Sequence, residues 1–582
     1  MTSGLHFHLD ATNGASRRIS VTVRIDGPFT ENILELRFPR WVPGSYFIRE
    51  PIQHMSDLTA KIDEKDIKAK RIDIDGVKIQ GVKGAKRVEI SYRLLAAEMT
   101  CRANHFDESH LHMMPPYTWM IPSRGIEKTR LDLVHKVTLD KPSDWSTATQ
   151  LSGEEGEWYA EGRDELLDGI MESNSNPMYS FEVDGCTQNL KIWDSGGFET
   201  PKSKIDGLMA AMEKVVREHY ALFGVPDWKE YFTILHLTES GRGGLEHLRS
   251  QTSMMPRKAL QDGNEDDWRD LISLFSHEFL HQWNVKRLRP KNFLNYDLQK
   301  EVHSDLLWWF EGLTSWLGDI ICLRSGAWSE EDYRKDWTRK MKRHLQRNGM
   351  SHESLQESSN DAWIHLYCPN SYSREVQISY YLEGELAVFC LDVELRKRSK
   401  GEFGLDDLLV NLYNKHHINS EQPGVTHQDI KRELVNTKGG RRLGEFLDNL
   451  VGERKSPVIE NAIHHLGMKM VAEKEEKGAW LGLNLTTKNG KVKISTHHSN
   501  SPCRELTHTG DEIIAIDGLR INSVAELNAA IHGKHGMSVE ITLARQGILQ
   551  TVSVSPTNNP NYLTKLEGKG NKLWQIITKT RQ

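Results

Sequence analysis

Nowhere in the chain do apolar residues run for the roughly 18 positions that a helix needs to cross a bilayer, so a membrane-spanning protein is not expected. Cysteine is scarce. Cys101, Cys186, Cys322, Cys368, Cys390 and Cys503 lie scattered without pair spacing, which argues against a disulfide framework and against a zinc site of the Cys type. Sustained basic blocks are absent and the formal charge is -6, which argues against nucleic acid as a partner. The first residues, MTSGLHFHLDATNG, hold no basic region followed by an apolar core, so no secretory signal is read and a cytoplasmic location is expected. No internal repeat is apparent.

What remains is the composition of an ordinary soluble protein, 38% hydrophobic with 19 prolines. One hydrophobic core does not extend over 582 residues, so three or four domains are expected, in a multidomain α+β chain. Residues 1–187 carry short alternating runs such as RRISVTVRI, RVEISYRLL and YSFEV, broken by Gly, Pro, Asn and Asp, and predict an antiparallel β-sandwich. Near residue 188 the texture turns mixed: LKIWDSG and YFTILHLTE read as strands and IDGLMAAMEKVVREHYALFG as a helix ended by Gly224. This domain, mainly helical, is placed at 188–470, and its helices after residue 403 are expected to close the cleft. The charge run EKEEK reads as a linker or a solvated strand end, a further domain spans 471–558, and residues 559–582 have few apolar anchors and read as a loosely ordered tail.

The chemistry concentrates in DDWRDLISLFSHEFLHQWNVKRLRP, residues 266–290. Its apolar residues recur at helical spacing around more than half the circumference, which predicts a buried helix with acidic residues at its start and Pro290 at its end. His277 and His281, four apart, stack on one face where two neutral imidazoles bind one metal ion, with Glu278 beside them. A catalytic zinc takes three protein ligands and leaves a position for water. Downstream, DLLWWFEGLTSWLGDI embeds Glu311 among Trp308, Trp309, Phe310, Leu313 and Trp316, where an unpaired carboxylate is costly and a cation is the natural partner.

Together HEFLHQWNVKRLRP and WWFEGLTSWLGD resemble the signature of the glycyl aminopeptidase family of zinc metallopeptidases, gluzincins related to the aminopeptidase-N group. The resemblance implies a thermolysin-like catalytic domain holding one Zn2+ on His277, His281 and Glu311, with Glu278 as general base. Asp319, two turns beyond Glu311, is a candidate for orienting a ligand histidine. Upstream, SGRGGLEHLRS places Gly243 and Gly244 where a backbone can approach another chain, followed by Glu246 in extended form. The aminopeptidase-N group has a Gly-x-Met-Glu-Asn strand here whose Glu binds the substrate's free amine, which implies that role for Glu246. That group's Tyr-Glu-Lys-Gly motif, counted back from Gly384, implies Tyr381 as the hydrogen-bond donor to the tetrahedral intermediate. Tyr380 is the neighbour that could take the role, and Glu383 stands where the relatives carry Lys.

RFPRWVPGSYFIREP is similar to the N-terminal domain of the same family, with Trp41, Pro43, Gly44 and Tyr46 in a loop facing the catalytic domain; a packed turn explains it equally well. His105, His110 and His112 make a second metal conceivable, but nothing nearby in sequence supplies a third ligand type. From Gly478 onward, GAWLGLNL and GDEIIAIDG (Gly510 to Gly518) resemble a PDZ domain, whose loop at Leu481, Gly482 and Leu483 can cap a chain-terminal carboxylate. The expected function is therefore a zinc aminopeptidase acting on peptides with a free N-terminus, with small residues such as Gly and Ala preferred. A C-terminal peptide is a possible ligand of the PDZ domain. Two alternatives stand beside this: a PDZ-bearing endopeptidase with the same zinc chemistry, and an interaction protein with a vestigial peptidase domain.

Overall fold

A computed structural model describes residues 4–472, 476–560 and 563–581. The N-terminal part is β-rich. Alternation does the work: in Arg18–Asp26 the residues Ile19, Val21, Val23 and Ile25 all face inward and are buried. Eight strands form one sheet, antiparallel except where His6–Asp10 runs parallel to Val134–Asp140, and two four-stranded sheets complete the domain. They enclose a core that includes Phe7, Phe38, Trp119 and Trp158.

The second domain is built on a five-stranded sheet in the order Met178–Val183, Cys186–Asp194, Glu230–Thr238, Ser250–Pro256, Gly243–Glu246. The YSFEV run assigned to the first domain thus pairs with Cys186–Asp194, so the second domain's sheet begins before residue 188. Helix Glu265–Leu280 packs on this sheet, then a π-helical turn Trp308–Leu313 leads into helix Thr314–Arg324. Helix Leu382–Ser399 is buried along nearly its whole length and crosses the π-helical turn. The helices after residue 403 do not close the cleft; Leu405–His416 and Leu443–Gly452 pack behind Leu382–Ser399, and among the described residues no cleft-lining residue lies beyond Glu385.

The histidine group holds the two domains together. Glu172 of the first domain, fully buried, accepts from His110 (2.9 Å) and His112 (3.2 Å) of its own domain and from His236 (2.8 Å) of the second. His105 lies 2.6 Å from His110. A buried carboxylate surrounded by imidazole donors is satisfied by these bonds alone.

A six-stranded sheet and helix Val524–Ile531 form the PDZ domain, whose edge strand Leu483–Lys488 follows Leu481 and Gly482. Lys469–Ala472 and Thr564–Glu567 pair as a two-stranded stem beneath it, and His497 reaches Glu375 of the catalytic domain at 3.3 Å. Residues 473–475 of the EKEEK run lie outside the described residues. The last segment is not a loose tail. Helix Lys572–Thr578 buries Trp574 and Ile577 against the catalytic core, Arg324 Nε donates to the Ile577 carbonyl (2.7 Å), and Arg581 pairs with Asp406 and Asp407. Two apolar side chains three apart anchor it, despite the lysines around them.

Candidate metal centre and active-site cleft

Four elements meet in a cleft of about 430 Å³. Helix Glu265–Leu280 brings His277 and Glu278 on its last turn, and His281 is the residue that caps it; the chain then leaves the helix, ten residues before Pro290. The π-helical turn presents Glu311. Such turns displace one residue out of the helical register and recur at functional sites. His277 Nε2 and His281 Nε2 are 3.0 Å apart, and each lies 3.3 Å from Glu311 Oε2.

This triangle fits a metal ion. Two imidazole nitrogens at 3.0 Å aim at one point, and Glu311 Oε2 is buried with no hydrogen-bond partner. A second group, Glu246, Glu278 and His281, converges beside the first. Three buried carboxylates against two imidazoles call for a cation, since buried carboxylates without a counter-charge are costly. Burial pushes the pKa of Glu278 up to about 8, aided by Glu246 and Glu311, and burial also raises that of Glu246. Burial opposes a charge on His277, whose pKa falls to about 4, whereas Glu311 and Glu246 overcome burial at His281 and lift it to about 10.

The outer nitrogens of the two histidines are fixed. His281 Nδ1 donates to the Asn284 carbonyl (2.7 Å), and His277 Nδ1 faces Ser315 Oγ at 3.3 Å. Asp319 does not orient either histidine. It accepts from Ser273 Oγ (2.6 Å), a turn before His277, and pairs with Lys340. Ser315, four residues after Glu311, takes the place given to Asp319.

Glycines bring the backbone close. A Cβ on Gly244 would lie 1.9 Å from Glu278 Oε1, so only glycine lets the edge strand Gly243–Glu246 pass the Glu278 carboxylate. The strand's other edge pairs with Ser250–Pro256, leaving one edge to the cleft. Glu246 is buried in that cleft and its Oε1 has no hydrogen-bond partner. Gly312 and Gly384 make the helix crossing: a Cβ on Gly312 would sit 2.6 Å from the Gly384 carbonyl carbon. That crossing sets Tyr381, at the start of Leu382–Ser399, against the His277, His281 and Glu311 triangle, with its ring 6.1 Å from that of His277. Tyr381 lines the cleft; Tyr380 does not and is fully buried. Glu383, standing at the relatives' Lys, accepts from His344 at 2.8 Å, away from the cleft.

Two contributors, Arg102 and Tyr367, carry no sequence signal of their own. Arg102 crosses from the first domain and donates to the Gly244 carbonyl (3.0 Å). Tyr367 donates to the Gly44 carbonyl (3.1 Å) and lies 3.4 Å from the Tyr381 hydroxyl. Gly44 itself abuts Glu246. The Trp41-to-Tyr46 loop is thus inserted in the second domain's core, with Trp41 against Trp363 and Tyr296, and Tyr46 against Phe293.

Comparison with known families matches residues 6–169 to the peptidase M61 N-terminal domain, 270–387 to M61 glycyl aminopeptidase and 479–555 to a PDZ domain. The chain carries the two domains of M61 metallopeptidases together with a PDZ domain. It has the fold of an aminopeptidase N family protein from Idiomarina loihiensis, at 23% identity over 98% of this chain and 99% of that one, with a TM-score of 0.89. Also similar are an M1 zinc metallopeptidase from Deinococcus radiodurans (11% identity, 79% and 95% covered, TM-score 0.45) and yeast LTA4 hydrolase (13%, 78% and 68%, TM-score 0.45). No curated protein matches the chain. None of its helices is long and apolar enough to cross a membrane among the described residues.

Proposed function

We propose that this M61 peptidase is a zinc aminopeptidase that removes small N-terminal residues, Gly and Ala, from peptides. One observation carries the reading: Glu246 offers an unpartnered carboxylate oxygen in the cleft beside Glu278. A carboxylate there holds the α-ammonium of a substrate, and an internal peptide segment cannot supply that charge. Gly44, with Tyr367 bonded to its carbonyl, closes the space around Glu246, which supports a small first residue.

His277, His281 and Glu311 would hold one zinc ion, whose Lewis acidity activates water and polarises the scissile carbonyl. Glu278 takes the proton of the attacking water and delivers it to the leaving amine, a role that suits a carboxylate placed in the cleft beside His281 and Glu246. The Tyr381 hydroxyl donates to the developing oxyanion. The open edge of Gly243–Glu246 pairs with the extended substrate backbone. Leu481, Gly482 and Leu483 offer the loop beside an edge strand that would receive a C-terminal carboxylate, and the Leu481 carbonyl is held by Ser501 (2.8 Å). A cytoplasmic setting fits the six cysteines, none of which is in a disulfide.

The endopeptidase alternative leaves the unpartnered Glu246 oxygen without a role. The test is metal content with turnover: the purified protein should hold one zinc per chain, and Glu278→Ala should keep the zinc and lose aminopeptidase activity. Near-parental turnover by Glu278→Ala would overturn the general-base assignment.

A further inference from the structure

Resting on the aminopeptidase reading, we propose that the cleft contains a carboxylate subsite beyond the scissile bond, formed by Arg343 and Arg102. It favours substrates that carry an anion one or two residues after the bond cut.

The direction of the substrate follows from the positions of Glu246 and Glu278. An ammonium held at Glu246 starts the chain at the C-terminal end of the edge strand, and Glu278 lies against Gly244, two residues earlier in that strand. The substrate therefore runs from Glu246 past Gly244 and Gly243 toward Arg242, antiparallel to the strand. At about 3.3 Å per extended residue, its second and third residues reach the wall where Arg102, Arg242, Arg339 and Arg343 line the cleft.

The acidic groups on that wall are already engaged. Asp270 accepts two bonds from Arg242, at 2.6 and 2.9 Å, and lies 3.5 Å from Arg339, which also pairs with Asp336. Lys340 takes Asp319 and Glu385. Two guanidinium groups are left over. Among the described residues Arg343, an exposed side chain on the cleft wall, has no hydrogen-bond partner and no carboxylate within ion-pair distance, and Arg339 and Arg242 are close by. Arg102 spends one nitrogen on the Gly244 carbonyl, while its Nε is buried and unpartnered. Arg343, set among like charges, is relieved by an anion, and the planar donors of both guanidinium groups match a carboxylate.

Two sources supply this chemistry: the free C-terminus of a dipeptide or tripeptide, and an acidic side chain in a longer peptide. The experiment measures kcat/KM for Gly-Gly-Gly against its C-terminal amide, and for Gly-Asp-amide against Gly-Asn-amide. At least one charged member should be preferred by about tenfold, the size of one charge-assisted hydrogen bond, expressed mainly in KM. A preference in the first pair assigns the C-terminus, and one in the second the side chain. Arg343→Gln should bring the favoured ratio close to one, and Arg343→Lys should restore part of it. Neutral and charged members cleaved within twofold of each other, or a ratio untouched by Arg343→Gln, would overturn the proposal while leaving the aminopeptidase reading in place. Absence of cleavage of all four free-amine substrates would remove that reading, and this subsite with it.

Discussion

Gly44 stands so close to Glu246 that a methyl group on its Cα would lie 2.5 Å from both carboxylate oxygens. Its φ of 91° is also one that residues with a Cβ rarely adopt. The N-terminal domain therefore meets Glu246, the proposed amine anchor, by backbone contact, not by a side chain. Gly44→Ala should displace Glu246 and reduce kcat/KM on glycyl amides by at least about tenfold, the loss expected when a charged contact is misplaced. Zinc content should stay at the parental level, because Gly44 touches none of the three ligands. Parental kinetics in this variant would show that Glu246 does not need its observed position.

Tyr381 and Tyr380 stack on each other, yet only Tyr381 faces the cleft. Tyr381→Phe should lower kcat by roughly 10²-fold or more with little change in KM, as for a donor to developing oxyanion charge. Tyr380→Phe removes a hydroxyl that has no hydrogen-bond partner and should leave kcat within a few-fold. Steady-state kinetics on the two variants checks the assignment; the reverse ranking would contradict it.

The Gly312–Gly384 crossing couples the metal site to the tyrosine. Gly312→Ala places a Cβ 2.6 Å from backbone, and neither helix has a flexible atom to yield. Overpacking of this kind costs about 1–3 kcal/mol, so the melting temperature should fall, and kcat should drop with it because Glu311 and Tyr381 move apart. Denaturant unfolding with parallel assays checks both; an unchanged stability would mean that the helices slide without cost.

Much of this site is written in local spacing. His277, Glu278 and His281 are placed by one helix, Glu311 stands out as a carboxylate among aromatic residues, and Tyr381 is found by counting back from Gly384, a glycine whose reason is the close crossing of two helices. The edge strand with Glu246 is likewise legible from Gly243 and Gly244. Asp319 is misplaced by the same logic carried one turn too far: the facing helices bring it to Ser273, a turn before His277, and Ser315 meets the imidazole instead. Arg102 and Tyr367 could not be read at all, because domain docking and a long loop bring them in, and neither leaves a periodic trace. His236 and Glu172 show the same limit, being far apart in sequence and joined only when the two domains pack.

The docked C-terminal helix gives a stability prediction independent of chemistry. Trp574 is buried against Tyr333, and its loss by Trp574→Ala should cost about 3–5 kcal/mol if the cavity does not collapse. Calorimetry should show the catalytic domain melting earlier, whereas a loose tail would leave the transition where it was.

The most direct test of the central claim compares kcat/KM on a glycyl amide with that on its N-acetyl form, in the parental protein and in Glu246→Ala. A carboxylate that holds the substrate ammonium predicts strong preference for the free amine in the parent, by at least about tenfold, and a much smaller preference in the variant. Equal cleavage of the free and acetylated substrates by the parental protein would contradict the aminopeptidase account and leave only the metal site standing.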